Sequence, residues 1–210
     1  GVSQLTLAKP AAKRLADLLK SRPLRVDIDL PGGVSKSAIS TDSVKVEKGS
    51  QTVVFGFEAS VDFAPGSSQL HSLLRAIDDA DAASKANKTA AAAKEAEGDA
   101  DDENDDEAAE VLFTVVAVGT RPGERDRELG DGAVSLLKLL EKGADFVHHE
   151  VMVQDEAGGV SRNLGTVTVT VRALEVLRLL RESRRGSEAA IQTPTLRSLM
   201  EHHVALLDGS

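Results

Sequence analysis

The stretch from Gly119 to Asp126 reads GTRPGERD and lies between the apolar run VLFTVVAV and the Leu-rich run VSLLKLL. Glycines beside arginines can cradle a phosphate, and carboxylates at a strand end can hold a hard cation. A phosphate loop of the Walker type needs Gly-x-x-x-x-Gly-Lys-Ser/Thr between a strand and a helix of a parallel sheet, and that motif is absent. Calcium takes about six to eight oxygen ligands, so it requires several carboxylates converging from neighbouring loops. Here Arg121 and Arg125 flank Glu124, Asp126 and Asp131 alone do not make a cage, and Asp17, in the other candidate loop, sits among Lys13, Arg14 and Lys20. The stretch reads as a solvated loop whose arginines could touch an anionic lipid or an acidic partner.

The other chemistry-bearing residues do not assemble either. His148 and His149 are neighbours in a predicted strand, which places them on opposite faces. His202 and His203 are about 100° apart on a predicted helix with no partner one turn on, and His71 stands alone. There is no Cys, which excludes disulfides, zinc-thiolate sites and thiol nucleophiles and points to an intracellular, cytoplasmic protein. No Gly-x-Ser-x-Gly nucleophile motif occurs. The expectation is a non-enzymatic chain with no catalytic residues, no metal and no cofactor.

Charge is distributed unevenly. The formal net charge is −9, yet residues 78–110 alone carry thirteen acids against three lysines, a net of −10, which leaves the other 177 residues at +1. Such a near-neutral remainder offers no basic field for nucleic acid and argues against a membrane surface. Basic residues nevertheless recur at Arg178, Arg181 and Arg185 and again near the start, including Lys13 and Arg14. These form a candidate basic surface. The acidic stretch has almost no side chain larger than Ala on an apolar face, so a disordered insertion is expected at 78–110.

The elements around it carry strong periodicity. In VVFGFEASVDF, Val53, Phe55, Phe57, Ala59, Val61 and Phe63 alternate with smaller or polar residues, which predicts one long half-buried strand. LRVDIDL alternates in the same way, with Leu24, Val26, Ile28 and Leu30 inward and Arg25, Asp27 and Asp29 outward. These outward three are the candidate partner-binding residues, because a strand with alternating charge offers directional hydrogen bonding. Further strands are predicted at Ser3 to Leu7, Ser43 to Glu47, Val111 to Val118, Gly132 to Leu136, Phe146 to Val153 and across LGTVTVTVRAL. A helix is predicted over Lys9 to Lys20 behind Pro10, a short one after a Ser67 or Ser68 cap, and a terminal one in TPTLRSLMEHHVALL. The fold class is all-β: an antiparallel eight-stranded β-sandwich with short helices on its connections and a C-terminal helix. The domain is expected at 1–185, with a tail at 186–210. The start, GVSQLTLAKP, reads as the beginning of a piece cut from a longer protein.

The run GDGAVSLLKLLEKGADFVHHEVMVQD followed by LGTVTVTVRALEVLRLL resembles the last strands and closing segment of a C2 domain. Within that superfamily the Leu-rich turn ending in Lys-Gly, the helix running off the last strand and the helical first connection are most similar to the C-terminal C2-like domain of the RPGR-interacting protein family, which are ciliary scaffolds. The resemblance implies a calcium-independent protein-interaction module at the cilium base, transition zone or basal body (centriole). Its implied partner is an RPGR-like propeller domain of a GTPase regulator, or another ciliary scaffold protein. The reading from a different class is a peripheral C2 domain that attaches to anionic lipid through its basic cluster.

Overall fold

The computed structural model describes residues 1–33, 39–63, 67–94, 109–155 and 160–191. The strands are β1 (Val2–Leu7), β2 (Leu24–Asp29), β3 (Ile39–Ser40), β4 (Thr52–Phe57), β5 (Glu110–Ala117), β6 (Arg127–Ser135), β7 (Phe146–Asp155) and β8 (Arg162–Val171). The helices are α1 (Lys9–Arg14), α2 (Ala16–Ser21), α3 (Ser68–Lys94), α4 (Leu136–Lys142) and α5 (Leu174–Ile191). All strand pairs are antiparallel, in the order β3-β2-β5-β6-β7-β8-β1-β4. The eight-stranded, antiparallel, all-β class read from the periodicity is therefore the observed one.

The sheet is two four-stranded halves joined at a seam. β6 and β7 share one register pair, Asp131 with Gln154, whereas every neighbouring pair but the two-residue β3 makes at least four. Glycines permit the close approach there. A Cβ on Gly130 would lie 2.3 Å from the Gln154 carbonyl oxygen, and one on Gly132 would lie 2.3 Å from that of Met152. Each half buries one face: Val26, Ile28, Phe113 and Val115 on one, Leu5, Val151, Val153, Val167 and Val169 on the other. β5 is the most enclosed strand of its half, as its two-sided apolar sequence requires.

Helix α4 follows its own punctuation. Ser135 Oγ accepts the Lys138 N–H at the N-cap, and Gly143 terminates the helix at φ 67°, a left-handed conformation that favours glycine. Leu136, Leu137 and Leu139 are buried, so the Leu-rich turn is a core element.

Several expected boundaries move. The single helix over Lys9 to Lys20 is two, because Leu15 leaves the helical region at φ −93°, ψ 3°; Ala11, Leu15 and Leu19 still share a buried stripe. No strand covers Ser43 to Glu47, where only an isolated bridge joins Val44 to Leu24; the short β3 takes that edge position. β4 ends at Phe57 instead of continuing to Phe63. Gly56 sits at φ 57° beside a register shift against β1, and Val54 and Val61 are 64% and 41% exposed. The alternation in sequence outlasts the strand because, among the described residues, no strand pairs with its second half.

The short helix after Ser67 is instead 27 residues long and runs through the first half of the stretch expected to be a disordered insertion at 78–110. Ile77 and Ala80 are buried, and Lys85 pairs with Asp81 at 2.8 Å one turn away. Beyond them, alanine and lysine have enough intrinsic helix propensity to extend a helix already anchored at one end. The rest of that stretch up to Ala108 lies outside the described residues.

The chain divides into compact units Gly1–Arg172 and Ala173–Ser210, a boundary thirteen residues before the one expected at 185. Within the second unit, α5 opens with the Leu177 N–H donating to the Ala173 carbonyl at 2.9 Å. The expected terminal helix in TPTLRSLMEHHVALL lies outside the described residues.

Candidate functional site

The outward face of β2 lies beside the GTRPGERD loop, and the two are chemically joined. Arg25 forks onto Asp27, with Nε 2.6 Å from Oδ1 and Nη2 2.9 Å from Oδ2. Alternation along the strand puts both on one face, two residues apart. Asp27 Oδ1 also accepts the Ser40 hydroxyl at 2.7 Å, which fastens β3 to β2 through side chains as well as backbone. Arg25 Nη2 reaches Asp126 in the loop at 3.1 Å, and the other oxygen of Asp126 accepts the Gly119 N–H at 2.9 Å.

Glu124 organises the rest of the loop. Its Oε2 accepts the backbone N–H groups of Thr120 at 2.9 Å and Arg121 at 3.2 Å, while Oε1 pairs with the Arg22 guanidinium. Arg22 Nη1 donates in turn to the Arg125 carbonyl at 3.0 Å. The loop expected to be merely solvated is thus tied back at both acids. The carboxyl pKa values of Asp27 and Glu124 are both displaced downward. For Asp27, burial pushes the value up, but hydrogen bonds from Arg25 and Ser40 together with the Arg25 charge outweigh it. For Glu124, the Thr120 amide is the leading cause, followed by the Arg121 amide and Arg22. The Arg25 guanidinium is held more firmly protonated, chiefly by its hydrogen bond to Asp27.

Chemically, this network spends its carboxylates internally. Oxygens already accepting amide and guanidinium protons are poor ligands for a cation, so the cluster acts as a brace for the sheet end. The surface next to it is set by strand register. Asp27 lies opposite Thr114, and Thr114 opposite Asp131; Asp29 lies opposite Leu112, and Leu112 opposite Ala133. Directly opposed residues share a face, so Asp29, Leu112, Ala133 and Asp131 form one patch across β2, β5 and β6. Asp29 and Asp131 are exposed, with Leu112 and Ala133 half-buried between them.

Of the three candidate partner-binding residues, Arg25 and Asp27 are therefore engaged with each other, and Asp29 faces solvent. β2 is not an edge: β5 flanks one side, and β3 with Val44 covers the other. Pairing of a partner strand directly against β2 is excluded by that geometry. The candidate basic residues fall in different units. Lys13 and Arg14 are on α1, where Arg14 bonds Asp155 at 2.8 Å; Arg178 and Arg181 are on α5, and the Arg185 side chain lies outside those described.

The histidines depart from expectation. A register shift between Phe146 and His149 gives β7 an extra residue, with His148 at φ 50°, the one positive-φ non-glycine residue among those described. Residues 147–150 are all exposed as a result, instead of alternating, and the His149 ring stacks on Phe146 at 4.6 Å. Among the described residues no three His, Asp or Glu side chains converge as metal ligands.

The Arg22–Glu124 pair and the Arg25–Asp126 pair carry no local signal in the sequence. Arg22 and Glu124 are 102 positions apart. Only the spacing Gly130-Asp131-Gly132 within a strand hinted at a close backbone approach.

Residues 84–183 match the family described as Retinitis pigmentosa G-protein regulator interacting C-terminal, a span that includes β5, β6, α4, β7, β8 and the first turns of α5. Over those residues the chain is similar to that family's C-terminal domain, as the Leu-rich turn and closing strand suggested. No curated protein matches the chain. One solved structure, a C2 domain-containing protein from a putative elicitor-responsive gene, aligns over 80% of this chain and 81% of its own at 8% identity and a TM-score of 0.43. At that distance it adds nothing to what the strand order establishes.

Proposed function

We propose that this chain is a non-enzymatic protein-interaction module: a calcium-independent C2-like domain of a ciliary or centriolar scaffold that presents a rigid sheet face to another protein. The observation that carries this reading is the match of residues 84–183 to the RPGR-interacting C-terminal family. The brace supports the calcium-independent part, since Glu124 and Asp126 are taken up by arginines and backbone amides. The family is described as interacting with a G-protein regulator, and a propeller-type regulator is the partner proposed here. Its docking surface is the patch of Asp29, Leu112, Ala133 and Asp131, two exposed acids around a small apolar centre, which suits a partner surface with basic residues around an apolar one.

The test is a pull-down from ciliated-cell extract with this chain as bait, with and without calcium chelator, read by mass spectrometry. Capture of a propeller-type regulator in both conditions, lost on Asp29→Lys with Asp131→Lys, is the expected result. Capture that requires calcium, or enrichment of anionic vesicles alone, would overturn the proposal in favour of a membrane-binding C2 domain.

A further inference from the structure

The arginines that follow β8 have a use that sheet docking does not absorb. Arg184 and Arg185 precede Gly186 and Ser187, and Ser187 is the one Ser or Thr in the sequence with arginine at both the third and the second position before it. A hydroxyl so preceded suits the acidic substrate clefts of basic-directed Ser/Thr kinases, which read two guanidinium groups upstream of the acceptor. Ser183, the nearest alternative, has Leu180 and Arg181 in those places and Glu182 immediately before it.

The structural setting makes that stretch easy to open. Ser187 lies four residues before the end of α5 at Ile191, where the last carbonyls of a helix lack intrahelical partners. Gly186 stands just before it, and glycine is among the least favourable residues for a helix interior. The segment belongs to the unit that begins at Ala173, so unwinding it breaks no rung of the eight-stranded ladder.

We infer that Ser187 is a phosphorylation site for a kinase of this class. The γ-phosphoryl group of ATP passes to Ser187 Oγ: the bond from phosphorus to the bridging oxygen breaks, ADP leaves, and the hydroxyl proton is lost to the kinase's base. The product carries about −1.5 to −2 charge next to Arg184 and Arg185, near a helix C-terminus where negative charge is disfavoured. Modification therefore neutralises part of the arginine run and loosens the last turn of α5.

The experiment is incubation of the purified full chain with the catalytic subunit of the cAMP-dependent kinase and Mg-ATP, with sites located by peptide mass spectrometry. One phosphate per chain at Ser187 is expected, abolished by Ser187→Ala and slowed at least tenfold by Arg184→Ala with Arg185→Ala. A synthetic peptide spanning residues 181–191 is the control. Phosphorylation of the peptide but not of the chain would show the site closed in the folded protein and overturn the inference. So would no phosphate on either, or the phosphate falling on another residue.

Discussion

Glu124 satisfies two backbone amides and one guanidinium with a single carboxylate, so its loss is felt beyond one ion pair. Glu124→Gln keeps the shape and removes the charge. Because the folded-state pKa of Glu124, like that of Asp27, lies below its ordinary value, both contribute stability above the usual carboxylate range, about pH 4. That contribution is lost as pH falls through and below it. The urea midpoint of the native chain should therefore drop between about pH 5 and pH 3, and Glu124→Gln should lower the neutral-pH midpoint while flattening the acid slope. An unchanged slope would mean the loop is not braced by this charge. For Arg25 and Asp27, a double-mutant cycle with Ala should give a coupling of about 1 kcal/mol, more than an isolated surface pair because the contact is forked and partly buried.

At the scale of elements, the seam between β6 and β7 is held open to close approach by glycine. Gly132→Val places a side chain where a Cβ alone would meet the Met152 carbonyl at 2.3 Å and Val151 Cγ1 at 2.9 Å; it should cost about 3 kcal/mol or prevent folding. Gly123→Ala is the matching control. Its φ of 82° is strained for Ala, yet nothing lies within 4 Å, so it should cost only about 1 kcal/mol in the same denaturation assay. Ser135→Ala, which removes the cap of α4, should cost about 1 kcal/mol.

Elements of this kind were legible in sequence to different degrees. β2, β5, β7 and β8 announce themselves because their side chains alternate or are apolar on both faces where the strand is in fact paired. β4 misleads, since periodicity records which residues could be buried and not where a partner strand stops. Helix α3 misleads in the other direction: an argument from burial alone undervalues alanine propensity. The brace was half legible. Arg25 and Asp27 share a strand face by spacing, but Arg22 and Asp126 reach their partners only through the tertiary fold.

For the whole molecule, protection from solvent should follow the ladder. Amide hydrogen exchange is expected to be slowest in β5 and in β8, which is paired on both sides along most of its length, and fastest over residues 58–63 beyond the end of β4. Uniform protection across β4 and residues 58–63 would contradict the strand end at Phe57. The pairing of β1 with β8 has a further consequence, for the ribosome. Val2 lies opposite Val169, so the first strand emerges during synthesis well over a hundred residues before one of its two neighbours exists. β4 can shelter one of its edges early, but the other stays bare until the closing strand is translated, and an unpaired strand edge of that kind is open to pairing with a neighbour on the same message.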